Sequence, residues 1–353
     1  MSNLSDFIGG DVSVTAECEK LVNIDVFDKT KYLFGNQDDI QLIADTNFQK
    51  WTQLTSGIAN YSHTAIVYND KMIVFGGYNG SDRLNTTYEY DITNDTWTQL
   101  SSGAIAMSNS VSVIYNGKMI VFGGYNGSEV NNDTWEYDIT NDAWTQLSSG
   151  ATARYLSSAI LHNDKMIIFG GYDKNSNLND TWEYDITNDT WTQLSSSGVD
   201  GFYHHTAILH DDKMIVFGGY DGSNYLNDTW EYDITNDTWT QLSSSGATVR
   251  RGHTAIVYND KMIVFGGYDG SNYLNDTWEY DITNDTWTQL SSSGVDGFYH
   301  HTAIVYNDEM IVFGGYNGSV LSDTFGYNIS NEYKYQNFLD NFKKVIPYDG
   351  DLL

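Results

Sequence analysis

Residues 254–290 carry the pattern that decides the fold. They read Thr254-Ala255-Ile256-Val257-Tyr258, Asn259-Asp260-Lys261 and Met262-Ile263-Val264-Phe265-Gly266-Gly267, then a polar stretch. Thr277-Trp278-Glu279-Tyr280, a turn from Asp281 to Asp285 and Thr286-Trp287-Thr288-Gln289-Leu290 complete the unit. Four short runs rich in β-branched and aromatic residues, here A to D, are separated by the Asn, Asp and Gly of tight turns. The unit recurs: Gly-Gly falls at 76–77, 123–124, 170–171, 218–219, 266–267 and 314–315, spaced by 47, 47, 48, 48 and 48 residues. Trp-Thr-Gln-Leu begins at Trp51, Trp97, Trp144, Trp191, Trp239 and Trp287. Residues 214–246 and 262–294 are identical over 33 positions, the mark of internal duplication. A fixed period of this length defines a repeat architecture.

Four short antiparallel strands cannot bury both faces of their sheet alone. Arranged radially, each sheet packs on its neighbours and few edges stay exposed, which predicts an all-β propeller. The Gly-Gly closing run B marks a place where a neighbouring backbone or ring comes too close for a Cβ. The tryptophans of runs C and D fill the space between blades. Helical periodicity is confined to a weak signal over residues 335–344.

Gly-Gly with flanking aromatics, then Tyr-Asp, then Trp after a short turn resembles the kelch repeat. It stands here as Phe265-Gly266-Gly267-Tyr268, Tyr280-Asp281 and Trp287, and it spans residues 51–328. The resemblance implies a kelch-type β-propeller of four-stranded blades and leaves activity open, because the family holds binding adaptors and a few enzymes.

The regular repeats begin with a D run at Trp51 and end with a C run at Asp323-Thr324-Phe325-Gly326-Tyr327. Joining the two ends gives six blades. The alternative is seven, with residues 22–54 as a degenerate blade in which Lys31-Tyr32-Leu33-Phe34-Gly35 replaces run B. In the six-bladed reading residues 1–50 are an N-terminal docking segment, 51–328 the propeller and 329–353 a C-terminal tail. The opening Met1-Ser2-Asn3-Leu4-Ser5-Asp6-Phe7-Ile8-Gly9-Gly10 resembles the starts of some bacteriophage tail-associated proteins. That resemblance implies a virion protein whose first 50 residues meet other virion components.

Composition narrows the partners. Against 17 Lys and Arg stand 47 Asp and Glu, a net charge of −30 in 353 residues, which disfavours nucleic acid and anionic membranes. No apolar run is long enough to span a bilayer, so membrane insertion is not expected. The opening residues lack the basic and apolar regions of a secretory signal, which points to a cytoplasmic or virion location. The only cysteine, Cys18, leaves no intramolecular disulfide.

In an up-and-down blade the A–B and C–D turns share one face and the B–C and D–A loops the other. The first set is monotonous and reads as turn chemistry alone. The second varies between repeats and carries all four arginines and six of the eight histidines. Divergent loops on a duplicated frame point to recognition, and their Tyr, Ser, Gly and Asn content fits an adaptable binding surface. The D–A loops offer Arg154, Tyr155, Tyr203, His205, Arg250, Arg251, His253, Tyr299 and His301 as ligand contacts, and the B–C loops Arg83, Tyr225 and Tyr273. On this reading, loss of Arg250 and Arg251 weakens binding and spares thermal stability.

Catalytic chemistry finds little support. His204-His205 and His300-His301 are adjacent on strands, where neighbours point to opposite faces, so adjacency alone does not make a chelate. One member of each pair is expected at the channel mouth and the other inside its blade. Asp269-Gly270-Ser271-Asn272 and similar loops offer a Ca²⁺ alternative but lack the ligand alternation of an EF-hand. Kelch-type copper oxidases need a cysteine cross-linked to a tyrosine ligand, and Cys18 lies outside the repeats. No cofactor and no metal are expected. The reading is a non-enzymatic recognition module for a protein or glycan receptor. Its alternatives are an intracellular kelch scaffold for a protein partner and a carbohydrate-active enzyme.

Overall fold

The computed structural model describes residues 51–329 apart from Ala104 and segments 195–197, 243–245 and 291–293, and otherwise only the backbone of three short strands. Those strands, Val12–Val14, Val22–Phe27 and Thr30–Leu33, pair antiparallel in a sheet of their own. Residues 1–10, Cys18 and residues 335–344 lie outside the described residues. By internal contacts, residues 53–327 form one compact unit and the two ends, 1–52 with 328–353, another.

Each repeat is a four-stranded antiparallel sheet in the order A-B-C-D. Blade 1 is Thr64–Tyr68, Lys71–Phe75, Thr87–Asp91 and Thr96–Gln99, and blade 2 is Val111–Tyr115, Lys118–Phe122, Thr134–Asp138 and Ala143–Leu147. Blade 3 is Ser158–His162, Lys165–Phe169, Thr181–Asp185 and Thr190–Gln193, and blade 4 is Thr206–His210, Lys213–Tyr220, Tyr225–Asp233 and Thr238–Gln241. Blade 5 is Thr254–Tyr258, Lys261–Phe265, Thr277–Asp281 and Thr286–Gln289. Blade 6 takes Thr302–Tyr306, Glu309–Phe313 and Thr324–Asn328 and is completed by Trp51–Leu54 as its outer strand. The blades number six. The seven-bladed alternative falls because Trp51–Leu54 belongs to blade 6, while Val22–Phe27 and Thr30–Leu33 bond to each other. Strand A of every blade lies beside strand A of the next, and blade 6 meets blade 1 in the same way.

Burial explains the strand sequences. Strand B is buried along almost its whole length, which is why it reads Met-Ile-Val-Phe without polar alternation. Successive side chains serve opposite neighbours. Ile215 and Phe217 of blade 4 pack against Met262, Val264 and Tyr280 of blade 5, with Trp278 and Trp287 beside them. Phe217 meets Trp287 at 4.4 Å between ring centroids, and Trp287 meets Tyr280 at 5.0 Å. The same Phe–Trp–Tyr series joins blades 1 to 2 (Phe75, Trp144, Tyr137) and 6 to 1 (Phe313, Trp97, Tyr90). Each such ring buries enough apolar surface to contribute roughly 2–3 kcal/mol.

The C–D turns do more than turn the chain. Asp142 accepts the Tyr137 hydroxyl of its own blade at 2.6 Å and the Ser101 amide that follows strand D of the preceding blade at 2.9 Å. Asp189 does the same with Tyr184 and Ser148. Asp95 does so with Tyr90 and Thr55. These carboxylates stitch blade to blade, which corrects the reading of those turns as local chemistry.

Gly-Gly is a docking point for peptide backbone. The second glycine's N–H donates to a D–A loop carbonyl of the next blade: Gly77 to Met107, Gly124 to Arg154, Gly171 to Phe202, Gly219 to Arg250, Gly267 to Phe298 and Gly315 to Asn60, at 2.8–3.1 Å. A Cβ on the first glycine would collide with the same oxygen, at 2.8 Å for Gly218 against Arg250 O. The first glycines also sit at φ of 63–69°, where side chains are strained. Gly218→Ala should therefore lower Tm at least twice as far as Gly318→Ala, which has φ +111° but nothing within 4 Å of its Cβ position. Thermal melts of the two variants check this, and equal losses would show that φ alone demands glycine.

Candidate functional site

Four consecutive D–A loop positions, repeated six times, build the face opposite the C–D turns. The first holds Asn60, Met107, Arg154, Phe202, Arg250 and Phe298, all buried. Arg154 and Arg250 are fully enclosed. Arg250 donates from Nη1 to Gly266 O at 3.0 Å and grips Asp276 through Nη1 and Nη2, both at 2.9 Å. Arg154 binds Gly170 O and Asp180 likewise. Burial works to raise the carboxyls of Asp180 and Asp276, and the hydrogen bonds and charge of the arginines outweigh it, holding both below the ordinary Asp value. Both arginines were expected to face a ligand from sequence and instead lock the B–C loop to the D–A loop inside a blade.

The second position holds Tyr61, Ser108, Tyr155, Tyr203, Arg251 and Tyr299, each bridged to the tyrosine that follows Gly-Gly. Together these residues form a closed aromatic belt. Tyr316 meets Tyr61 at 5.4 Å and Tyr61 meets Tyr78 at 5.4 Å. Tyr125, Tyr155, Tyr172, Tyr203 and Tyr220 continue at 5.2–5.8 Å. Tyr268 meets Tyr299 at 5.7 Å, and Tyr299 returns to Tyr316 at 6.0 Å. The belt lacks a tyrosine at Ser108 and Arg251, and at both places a guanidinium closes it. Arg83 lies over Tyr78 and Tyr125 at 5.2 and 4.5 Å, and Arg251 over Tyr220 and Tyr225 at 5.1 and 5.2 Å. Arg83 and Arg251, both offered by sequence as ligand contacts, are half-buried against these rings. Burial pushes the phenols of Tyr61, Tyr155, Tyr203 and Tyr299 up, so these four stay neutral and Arg83 and Arg251 bring positive charge to the belt. Tyr225, expected on a loop, opens strand C of blade 4 opposite Tyr220, and Tyr273 stands on the B–C loop of blade 5; both lie beside the belt. Tyr273 stacks on Tyr299 at 5.6 Å and is 38% exposed, the one exposed large hydrophobic residue among those described.

The third position holds Ser62, Asn109, Leu156, His204, Gly252 and His300, every one at φ of 57–61°. Their backbones close a ring about the axis. Each N–H donates to the carbonyl of the same position one blade back, from Asn109 to Ser62 onward until Ser62 donates to His300, at 2.7–3.1 Å. Their side chains and those of the fourth position line a cavity of about 120 Å³. The fourth position holds His63, Ser110, Ser157, His205, His253 and His301, and its histidines are buried. They wedge against the first glycine of the preceding blade: a Cβ at Gly170 would lie 2.9 Å from His205 Cε1, and one at Gly266 2.9 Å from His301 Cε1. His253 and His301 also hydrogen-bond Thr206 and Thr254 of the blade before them.

His205, His253 and His301 are thus packing residues of the blade interface, and their partners His204 and His300 stand at the mouth. Sequence reasoning expected one of each pair at the mouth but chose the wrong member, since a one-residue shift of register exchanges them. It missed His204, His300, Ser62 and Asn109. The Asp-rich B–C loops cap themselves: Asp269 Oδ1 accepts the amides of Ser271 and Asn272 at 2.7 and 2.6 Å. No group of three or more His, Cys, Asp or Glu is placed for a metal ion among the described residues.

Comparison with known proteins follows the same lines. The family model for the KLHDC2/KLHL20/DRC7 Kelch-repeats domain matches residues 24–199, 149–294 and 199–341. No curated protein matches the sequence. The solved structure of YjhT aligns with a TM-score of 0.70 at 18% identity, over 79% of this chain and 98% of that one. That likeness carries the fold alone.

Two outcomes follow. Arg250→Ala should lower Tm sharply, because it leaves the largely buried Asp276 carboxylate without its counter-charge, with the Trp278 indole N–H still donating to it, at a cost of about 3–5 kcal/mol, whereas Arg251→Ala should shift it little. Calorimetry compares the two, and a stable Arg250→Ala would refute the buried pair. The second concerns pH. Burial lowers His63, His205 and His301 from 6.5 to about 3, and it lowers His253 well below its ordinary value. A depressed folded value means stability is complete above the unfolded value and is lost as pH falls below it. Tm should therefore decline between pH 6.5 and 4, a window in which protonation of other groups would relieve the repulsion of a highly acidic chain. A Tm that rises on acidification through that window would contradict the assignment.

Proposed function

Taking this chain, a member of the kelch-repeat family, as its premise, we propose a non-enzymatic recognition module that binds glycans on the tyrosine-belted face. Membership of a propeller family of binding and scaffold modules supports binding in general. The closed belt supports the ligand class. Tyrosine rings supply rigid apolar area at low entropic cost and stack on the C–H faces of sugars. Around the mouth the partners are uncharged hydrogen-bonding groups, Ser62, Asn109 and imidazoles. A protein partner would also find contact area here, but the mouth is a small polar cavity ringed by aromatic edges, a shape suited to a compact hydroxylated ligand.

The single observation that carries this reading is the exposed Tyr273 stacked on Tyr299 at the belt. Glycan-array binding with the full chain tests it. Tyr273→Ala and Tyr203→Ala should each weaken the strongest glycan signal about tenfold, Tyr273→Ala with unchanged Tm, and prolonged incubation should release no new saccharide. Product release would favour the enzyme alternative. Co-purification of one protein in place of any glycan signal would favour the scaffold.

A further inference from the structure

The third-position ring is six equivalent backbones carrying six unequal side chains. Blades 4 and 6 contribute His204 and His300, and between them blade 5 contributes Gly252. A Cβ at Gly252 would fall 3.1 Å from Tyr299 Cδ2 and 3.7 Å from His300 Cδ2. The glycine therefore leaves the space in which the two imidazoles meet edge to face, 4.4 Å between centroids. Both ring nitrogens of His204 are buried without a partner. His300 Nδ1 is paired to Ser62 Oγ at 3.2 Å. Next to His204 in the ring, and three positions from His300, stands Leu156, whose φ of +61° is uncommon for a leucine. The backbone ring imposes this φ at all six positions, and at this one it carries an apolar side chain into the cavity lining.

None of the twelve residues lining the cavity is Asp, Glu, Lys or Arg. Arg251, whose charge acts on both mouth imidazoles, is held over the rings of Tyr220 and Tyr225. The mouth thus offers an imidazole pair on one side, small polar groups on the other and one apolar wall. A neutral imidazole carries one donor and one acceptor, which is what a hydroxyl requires of its partner.

We propose that this mouth is the specificity subsite for one terminal, uncharged sugar residue, whose hydroxyl-bearing edge bonds His204 and His300 while its apolar face rests on Leu156. This rests on the glycan reading of the belt. The unpartnered nitrogens of His204 are satisfied on binding, so leaving them empty costs the free protein and rewards the correct ligand. The acidic chain repels acidic saccharides and favours neutral ones.

The probes are the methyl glycosides of glucose, galactose, mannose and N-acetylglucosamine, with methyl glucuronide as the acidic comparator. Each is titrated into the full chain by calorimetry and ligand-observed NMR. At least one neutral glycoside should bind, and His204→Phe/His300→Phe should weaken it at least tenfold, since the rings keep their shape and lose their hydrogen bonds. Gly252→Asn, compatible with positive φ, should block the mouth and do the same. Burial and Arg251 lower both mouth imidazoles, with His300 near 3 and His205 and His253 adding to the effect on His204. Binding should therefore stay flat from pH 8 to 5. Preference for the glucuronide, or a tenfold change centred near pH 6.5, would overturn the proposal. Binding that is lost in Tyr203→Ala yet unchanged in both mouth variants would overturn the subsite and leave the belt reading standing. No saccharide binding to the parent chain would overturn both.

Discussion

One carbonyl per blade organises this protein. The D–A loop of each repeat drives its peptide oxygen into the Gly-Gly of the blade before it, where a Cβ has no room and an N–H waits to be paired. A buried donor and acceptor left apart would each cost about 1–3 kcal/mol, so six such contacts force the loops into one arrangement. Two residues further along, the chain closes the ring of peptide bonds about the axis. The D–A loop face is consequently built on fixed backbone, and its variety comes from side chains alone.

This accounts for how a repeated sequence presents an asymmetric site. The strands are nearly identical because each has the same two interfaces to fill. Met and Val of strand B pack backward, Ile and Phe forward, and the outer tryptophan covers the phenylalanine of the neighbour. Four loop positions are then free to differ within fixed environments. The first is interior, the second forms the belt, the third surrounds the axis and the fourth is wedged between blades. Blade 6 departs elsewhere too: Glu309 stands where other blades place a lysine, and Gly326 where they place its glutamate. Its carboxyl folds over Gly326, and burial pushes it up.

The propeller, the strand limits and the reason for Gly-Gly were legible because they rest on period, turn chemistry and the absence of a Cβ. The sorting of adjacent polar residues was not. Arg250 and Arg251 look alike in sequence, yet one is sealed against Asp276 and the other caps a row of tyrosines. The signal was present in the columns: Arg250 shares its position with Met107, Phe202 and Phe298, all core residues, and Arg251 shares its own with four tyrosines. His204 and His205 are distinguished by the same comparison, since His205 aligns with Ser110 and Ser157 between blades. The mouth histidines could not be recognised without the closed ring, because nothing local in the chain announces a left-handed residue at Leu156.

The ring that preforms the D–A loop face is closed between blades 6 and 1 as firmly as between the others. Hydrogen exchange on the full chain tests it most directly, through the amides of Ser62, Asn109, Leu156, His204, Gly252 and His300. If the ring is closed, all six exchange together and only through global unfolding, with Ser62, whose acceptor is His300, as slow as the rest. Fast exchange at Ser62 and Gly315 with protection elsewhere would mean that the ring opens at the blade joining the two ends of the repeat array, and the D–A loop face would not be rigid.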